Sequence, residues 1–400
     1  MVCVASVACV AIVAIFAMAT RPGPAPAPSS PAPAAPIPAT TRLETAPDAR
    51  QLKACDGQPL IWVDTTPLKA PPRPPDPSKL PEDNLLHWYD QVFAGWNVHQ
   101  LPQPPSPGTG PRGRKIVSLQ YMDQPYWTAY GNGMKRLAVA YGFDLVIMEA
   151  GNDSKTQAGQ VEEAIHMRPD LVILIPVDAS GVAPSLKRLH DEKIPVIASN
   201  LAPVDEGMKY VLAWTGPDDW GQSQMLGREL ARLMNKEGGY CVIRHLAGTS
   251  GYLARTWGAV SELKTAAPKM KCLDLQSTGL KTAETKTQVA AWLKKYGRDL
   301  KGIISPDDSK VTVGVVEALK EAGREDVVCV SAGASRTGLE LVKSGKLRAI
   351  TYQSAEADGA LPVEIAARWF RGETLDRPVY YLQKHIITAR DVDHFLPPQW

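Results

Sequence analysis

The chain has 400 residues, of which 44% are hydrophobic and 22% are charged, and this length can build two ordinary domains with real cores. Its formal net charge is +2, with acids and bases mixed throughout, so nothing indicates nucleic acid or an acidic surface as a partner. No cysteines show C-x-x-C spacing and no histidines show zinc-site spacing, so we expect neither a metal nor another cofactor.

The first segment, residues 1–19, is uncharged and apolar. It is short and rich in small residues for a membrane span, and it ends in Ala17-Met18-Ala19, a small-x-small cleavage pattern. We therefore predict a signal peptide and export to the periplasm. Because no basic residue precedes the apolar run, an uncleaved segment that tethers the protein to the membrane is the alternative.

Most of the 35 prolines lie in the first 111 residues. Residues 20–50 are rich in Pro, Ala and Ser, a composition that buries too little apolar surface to fold, so we expect an extended linker. Residues 51–114 stay proline-rich but contain the apolar stretches Leu60–Val63 and Leu85–Tyr89. We expect this N-terminal extension to pack on the outside of the main body, and we assign it no function.

Four cysteines would remain after export, namely Cys55, Cys241, Cys272 and Cys329. An even number in an oxidising compartment permits disulfides. We expect Cys241 and Cys329 to be buried in strands, and the pairing of the other two stays open.

From Lys115 onward the chain alternates apolar strands and amphipathic helices. Strands such as 116–120 and 171–175 lack polar alternation, which indicates that both faces of their sheet are covered. The pattern restarts after about residue 220 and ends in a helix over 355–371 and a strand over 379–388. We therefore predict an α/β fold with two doubly wound parallel sheets.

An ordered set of motifs identifies a resemblance. The motifs are Gln124-Pro125-Tyr126-Trp127, Ile194-Pro195-Val196-Ile197 before Asn200, Asp218-Asp219 before Gly227, Ala247-Gly248-Thr249-Ser250 before Arg255, Asp307-Asp308 before Gly314, and Lys343–Leu347 before Gln353. In this order they resemble the ribose-binding-protein family of periplasmic solute receptors, and the resemblance covers roughly Lys115 to Pro398.

The resemblance implies a type I periplasmic-binding-protein fold with three hinge crossings, near 214–218, 353–355 and 380–384. Lobe 1 would comprise 115–216 plus 354–381, and lobe 2 would comprise 217–353 plus 382–400. It also implies a monomer that delivers a sugar or polyol to the membrane permease of an ABC importer. A sensory or chemotaxis receptor of the same fold, binding a non-sugar small molecule, is the alternative.

A sugar or polyol site needs flat aromatic rings for C–H faces and planar polar groups for hydroxyls. Tyr126 and Trp127 follow the first strand, in a predicted loop at the carboxyl edge of the sheet where α/β proteins bind ligands, so we expect them to stack on the ligand. By resemblance the other ligand-binding residues are Gln120, Gln124, Asn200, Arg255, Leu280, Asp307 or Asp308, and Gln353. One of the two aspartates is expected to cap the following helix instead.

Two departures from the ribose-like pattern predict a different ligand. The chain has Asn200-Leu201 where those binders carry Asp-Arg, and Gly333 where they carry Asp. A smaller polyol, a deoxy sugar, a bulkier sugar or a non-sugar signal remains open. Trp220, Trp257 and Tyr352 are expected to reshape the pocket.

The sequence argues against an enzyme. It contains no H-E-x-x-H, G-x-S-x-G or Walker A motif. The segment Gly108–Gly113 matches G-x-G-x-x-G, but it precedes the first strand and contains Pro111. A repressor of the same fold would carry a helix-turn-helix before Lys115, where this chain is proline-rich.

Overall fold

The computed structural model describes residues 48–66, 72, 74–81, 84–88 and 100–400. The predicted signal peptide and residues 20–47 of the predicted linker lie outside the described residues, as does much of the N-terminal extension. Within the described part of the chain, no helix has both the length and the hydrophobicity needed to cross a bilayer.

The first sheet has six parallel strands in the order β11-β5-β4-β3-β1-β2. They are β1 (Lys115–Gln120), β2 (Asp144–Glu149), β3 (Leu171–Leu174), β4 (Val196–Ser199), β5 (Ala213–Gly216) and β11 (Val379–Tyr381). Every residue of β3 and β4 is buried, which explains why these segments show no polar alternation. The sheet's own helices are α1 (Pro125–Tyr141), α2 (Ser154–His166), α3 (Ala183–Asp191), α4 (Asp205–Met208) and α10 (Ala355–Phe370). We call this unit lobe 1.

The second sheet also has six strands, in the order β12-β10-β9-β8-β6-β7, and only β12 is antiparallel to its neighbour. They are β6 (Glu237–Arg244), β7 (Lys269–Ser277), β8 (Leu300–Ser305), β9 (Val328–Ser331), β10 (Ala349–Thr351) and β12 (Ile386–Thr388). Its helices are α5 (Asp219–Leu233), α6 (Ser250–Ala266), α7 (Thr282–Tyr296), α8 (Lys310–Glu321) and α9 (Arg336–Lys343). We call this unit lobe 2, and the two sheets confirm the predicted fold class.

The chain passes between the sheets three times: after β5, between β10 and α10, and between β11 and β12. The prediction of one strand over 379–388 was therefore wrong. Its two ends belong to different sheets, because residues 382–385 form the third crossing and β12 then pairs antiparallel with β10.

Two glycines let α1 and α10 approach closely enough to bring their first turns together. A Cβ on Gly133 would lie 1.9 Å from the carbonyl oxygen of Glu356, and a Cβ on Gly359 would lie 1.8 Å from that of Tyr130. Any side chain at either position would force the helices apart. This contact positions the N-terminal turns of both helices at the carboxyl edge of the lobe 1 sheet.

Residues 48–66, which we call the hinge segment, lie along the crossings. Val63 pairs with Leu382 at the third crossing, and Asp56 accepts a 2.6 Å hydrogen bond from the hydroxyl of Tyr352, next to the second. Leu60 is fully buried in the lobe 1 core. This part of the extension is thus built into the body of the protein and does not merely cover its outside, because its apolar residues reach cores that the main elements leave open.

All four described cysteines are free thiols. Cys241 in β6 and Cys329 in β9 are buried, whereas Cys55 and Cys272 are exposed. Burial raises the pKa of the Cys55 thiol to about 11, so it is protonated at neutral pH.

Candidate functional site

A cluster of hydrogen bonds lies at the carboxyl edge of the lobe 1 sheet. The Tyr126 hydroxyl, in the first turn of α1, donates to Asp358 Oδ2 at 2.6 Å. The amide nitrogen of Asn200, just after β4, donates to the same carboxylate oxygen and to the Tyr126 oxygen at 3.2 Å. The second carboxylate oxygen of Asp358 has no hydrogen-bond partner among the described residues.

The cluster continues into lobe 2 through Gln353 at the second crossing. Its Nε2 donates to the Tyr126 oxygen at 2.8 Å, and its Oε1 accepts from Arg255 Nη2 at 3.1 Å. Arg255, in α6, also donates to Asp219 Oδ1 at 2.9 Å and to the carbonyl of Pro306 at 2.7 Å. We call Tyr126, Asn200, Asp358, Gln353, Arg255 and Asp219 the cleft network.

The two lobes also meet beyond the network. The N–H of Ala202 in lobe 1 donates to the hydroxyl of Ser250, the first residue of α6, at 3.2 Å. The network and this hydrogen bond together describe a closed arrangement of the lobes.

Burial governs the protonation of the network. It raises the pKa of Asp358 to about 7; the hydrogen bonds from Tyr126 and Asn200 oppose this shift, and the charge of Asp219 adds to it. Burial also raises the pKa of Tyr126 well above its usual value. The pKa of Asp219 rises for the same reason, although Arg255 counteracts it. A desolvated site with one guanidinium and easily neutralised acids suits an uncharged ligand.

The two candidate aspartates of lobe 2 have different roles. Asp307 accepts hydrogen bonds from the Ser309 hydroxyl and, at 3.1 Å, from the N–H of Val311, so it caps the start of α8. Asp308 is fully buried, accepts from the N–H of Ser335 at 2.9 Å, and leaves Oδ1 without a partner among the described residues. Burial, with the charge of Asp307, raises its pKa to about 8.

Gly333 stands where the ribose-like pattern has an aspartate. Its φ of 134° is a conformation that side chains rarely adopt, and a Cβ there would lie 2.3 Å from Asp308 Oδ1. The carboxylate of Asp308 therefore fills the space that a side chain at position 333 would enter.

The remaining predicted residues lie outside the cleft network. The prediction that Trp127 lies in a loop was wrong, because α1 begins at Pro125 and includes it. The Trp127 side chain is 7% exposed and packs against the rings of Tyr121, Tyr126 and Tyr130. Gln124 is the exposed N-cap of α1. Gln120 is buried below Gly131, and Leu280 packs on the lobe 2 core.

Residues 396–400, which we call the tail, also reach the network. The Trp400 ring meets the Tyr126 ring edge-on, with centroids 5.2 Å apart. Trp400 and Gln124 help to line a cavity of about 510 Å³ between the start of α1, the start of α10 and the tail, and no member of the cleft network lines it. The sequence prediction missed Trp400, and nothing local to residues 396–400 indicates this contact.

The prediction also missed Asp358 and the pairing of Asp219 with Arg255. A signal for Asp358 was present, because an acid between Ala357 and Gly359 on a largely apolar helix has few solvated positions. Trp220, Trp257 and Tyr352 are buried, and Tyr352 points its hydroxyl at Asp56 of the hinge segment.

Chemically, the network offers two planar amides, a carboxylate and a guanidinium, the groups that pair with neighbouring hydroxyls. Within the described ranges there is no group of three or more His, Cys, Asp or Glu side chains that could hold a metal ion. The arrangement is therefore one for binding a polar, uncharged molecule between lobes.

Comparison with known proteins bears on the same region. A family model described as a periplasmic binding protein domain matches residues 116–374. A xylitol-binding protein of Mycolicibacterium smegmatis is 28% identical over 281 residues, 70% of this chain and 78% of its own. A ribose import binding protein of Salmonella typhimurium is 23% identical over 255 residues, 64% of this chain and 84% of its own.

A solved structure shares the fold. It is an ABC transporter solute-binding protein of Bacillus halodurans C-125 with bound myo-inositol; its TM-score is 0.63 at 24% identity, and the match covers 72% of this chain and 99% of that one. The family model covers more than half of the chain, including all of α1 and α10. The chain therefore belongs to the periplasmic binding protein family, a family of binding proteins.

Proposed function

We propose that this protein is an exported receptor that captures a small, uncharged sugar or polyol between its lobes for an ABC importer. The observation that carries the proposal is the cleft network, which runs from Asp358 in lobe 1 through Gln353 at a crossing to Arg255 in lobe 2. The printed names of the relatives, for xylitol and ribose, support the same ligand class.

The ligand-binding residues in this proposal are Tyr126, Asn200, Gln353, Arg255 and Asp358. Each is a hydrogen-bonding group at the cleft, and the bonds among them are the ones that ligand hydroxyls would replace. Asp308 joins them through its unpartnered Oδ1. Trp127 supports the Tyr126 ring from the core, Gln124 lies at the rim, and Gln120, Asp307 and Leu280 act through packing and capping.

Binding follows from hinge motion. In an open form the network is divided between the lobes, and the ligand favours closure because only the closed form presents both halves to it. A dissociation constant near one micromolar corresponds to about 8 kcal/mol, which a few buried hydrogen bonds and ring contacts supply. We propose the lobe boundaries predicted above as the rigid units of this motion.

A thermal-shift screen of the purified protein tests the ligand class. The panel comprises pentoses, hexoses, xylitol, glycerol and inositols, with amino acids as the control set. A ligand at 100 times its dissociation constant adds about 2.7 kcal/mol, which raises Tm by roughly 4 °C in a protein of this size. A response to amino acids alone, with none to any polyol or sugar, would discard the ligand class and leave the fold unaffected.

Export and delivery are further parts of the proposal. Residues 1–19 would be removed after Ala19, so the exported protein should have a mass that corresponds to residues 20–400. A monomer that loads a permease should elute as one chain and co-purify with the membrane permease only in the presence of ligand. An intact segment 1–19 would favour the membrane-tethered alternative. Capture of a signalling receptor in place of a permease would favour the sensory alternative.

A further inference from the structure

The tail connects the two lobes on one side of the cleft. The carbonyl oxygen of Trp400 accepts a 2.7 Å hydrogen bond from the N–H of Arg336, the first residue of α9 in lobe 2. Its ring contacts Tyr126 in lobe 1. The tail therefore contacts both lobes in this closed arrangement.

Gln399 fixes this position because both ends of its amide are used. Its Oε1 accepts from the N–H of Glu356 at 2.9 Å, and its Nε2 donates to Asp56 Oδ2 at 2.8 Å and to the Tyr352 hydroxyl at 3.0 Å. These partners belong to α10, the hinge segment and the end of β10. The tail is thus a bonded part of the body, and its indole has a defined location.

Trp400 has one polar group that this packing does not satisfy. Its Nε1 is buried and has no hydrogen-bond partner among the described residues. A buried donor left unpaired is unfavourable, so a ligand acceptor that pairs with it would bind more tightly. The same residue lines the cavity of about 510 Å³ beside Gln124 and Thr128.

We infer that Trp400 is a ligand-binding and specificity-determining residue whose indole forms a wall of the cleft beside Tyr126 and whose N–H donates to a ligand hydroxyl. The inference rests on the proposed function and deepens it. It assigns the aromatic wall to a residue outside 116–374, the part of the chain that the family model matches. The wall limits the length of ligand that the closed cleft accepts.

The test compares three variants by titration calorimetry against xylitol, ribose and myo-inositol. Trp400→Ala removes both ring and donor and should weaken the best ligand at least about tenfold. Trp400→Phe keeps a ring without the N–H and should lose roughly threefold to tenfold, the loss of one neutral hydrogen bond. Leu396→Ala, an exposed residue of the same tail, is the matched control and should leave affinity unchanged.

Selectivity distinguishes a wall from a mere structural support. Removing the wall should shift the ratio of affinities toward the largest ligand of the three, whereas a general loosening of the closed form would lower all affinities in proportion. If the unmodified protein binds none of the panel, the proposed function fails and this inference with it. If it binds, and Trp400→Ala either keeps full affinity or loses it equally for every ligand, only the role of Trp400 is overturned.

Discussion

Asp358 of lobe 1 and Asp308 of lobe 2 are both fully buried carboxyls with one oxygen that has no partner among the described residues, and the two are held in different ways. Asp358 of lobe 1 is bound by side chains, the Tyr126 hydroxyl and the Asn200 amide, on elements that meet at the cleft. Asp308 of lobe 2 accepts its hydrogen bond from the backbone N–H of Ser335. Burial raises the pKa of both carboxyls.

The surroundings differ as much as the partners. Asp308 is enclosed by glycines: a Cβ on Gly338 would lie 1.8 Å from its Oδ2, and one on Gly333 would lie 2.3 Å from its Oδ1. Asp358 depends instead on the close contact of α1 with α10. A binding group held by side chains can exchange them for ligand hydroxyls, whereas a group enclosed by backbone can only add a contact. We therefore expect Asp358 to contribute more to ligand discrimination than Asp308.

The largest effect should come from separating α1 and α10. In Gly359→Ala the new Cβ meets the carbonyl of Tyr130, so the helices must move apart, at a cost of about 3 kcal/mol or more. That corresponds to a fall in Tm of roughly 4 °C or more in a protein of this size. Because Tyr126 and Asp358 lie on these helices, ligand affinity should fall as well.

Gly159→Ala is the matched control for this substitution. Gly159 lies in α2 and is exposed, and a Cβ added there would have no neighbouring atom within 4 Å. The alanine should stabilise the protein by about 0.5–1 kcal/mol because it restricts the unfolded chain. Chemical denaturation of both variants decides the matter: equal stability in the two would mean that the helices do not pack as closely as described.

The next largest effect concerns affinity. In Asp358→Asn one oxygen remains to accept hydrogen bonds from Tyr126 and Asn200, and an NH₂ group replaces the second carboxylate oxygen. Polyol affinity should therefore fall at least about tenfold, or 1.4 kcal/mol. Asp308→Asn keeps an oxygen for the N–H of Ser335, so its loss should stay within about threefold, or 0.7 kcal/mol. Calorimetric titration of both variants measures the difference, and a larger loss in Asp308→Asn would reverse the comparison.

A third effect separates the two acids by pH. Each has a folded pKa above the usual aspartate value of 3.8, so between pH 4 and its folded pKa the folded protein holds a proton that the unfolded chain has released. Stability therefore falls as pH rises through that window, by up to about 1.4 kcal/mol per pH unit for each group. Asp358→Asn should remove the dependence up to about pH 7, and Asp308→Asn up to about pH 8.

Denaturation at pH 5, 6, 7 and 8 measures these slopes as differences between variant and unmodified protein. The subtraction matters because His245 has the opposite sign: burial, with Arg255, lowers its pKa to about 3, so it stays neutral when folded and favours higher pH up to its unfolded value. Between pH 7 and 8 both aspartates still titrate, because the pKa of Asp358 is about 7 and that of Asp308 is about 8, so the contribution of Asp308 is isolated only by subtracting the profile of Asp308→Asn. Identical profiles for Asp308→Asn and the unmodified protein in that interval would show that its carboxyl is already ionised.

The contrast between local sequence patterns and contacts distant in sequence explains how much of the structure the sequence predicts. Strands and helices of the lobes follow from local patterns, since buried apolar runs such as β3 and β4 need no knowledge of distant partners. The early start of α1 could have been read from Pro125, because proline suits the first turn of a helix. The structure brings together Asn200, Arg255 and Gln353, which the motifs proposed as ligand-binding residues, and their binding role stays a prediction.

The residues that were missed depend on contacts distant in sequence. Asp358 is buried only because Gly133 and Gly359 bring together two helices from opposite ends of the folded chain. Trp400 and the hinge segment contact the lobes through isolated bridges, hydrogen bonds and ring contacts, with no periodicity in the sequence to reveal them. Sequence periodicity predicts the helices and strands, whereas the packing of those helices and strands against one another decides which acidic side chain is buried.

The smallest effect concerns the hinge segment, which contacts both lobes. Lys384 Nζ, at the third crossing, lies 2.6 Å from Asp64 Oδ2 and 2.8 Å from Asp218 Oδ2. Burial raises the pKa of Asp64, but hydrogen bonds from Lys384 and Thr66 outweigh it, so the net pKa is lowered. A lowered pKa means that the carboxylate adds stability above its unfolded value and loses it as pH falls through the folded value.

Asp64→Asn should therefore cost only about 1 kcal/mol at pH 7, because Asp218 still pairs with Lys384, and it should cost less at pH 3, where the unfolded carboxyl is already mostly protonated. Asp191→Asn is the control: it removes an exposed pair with Lys187 at 2.6 Å on the surface of lobe 1, and because solvent screens that pair it should cost less stability than Asp64→Asn. Denaturation of both at the two pH values checks the difference. If Asp64→Asn costs no more than Asp191→Asn, the hinge segment adds no stability through this ion pair, and its contribution comes from buried Leu60 and the pairing of Val63 with Leu382.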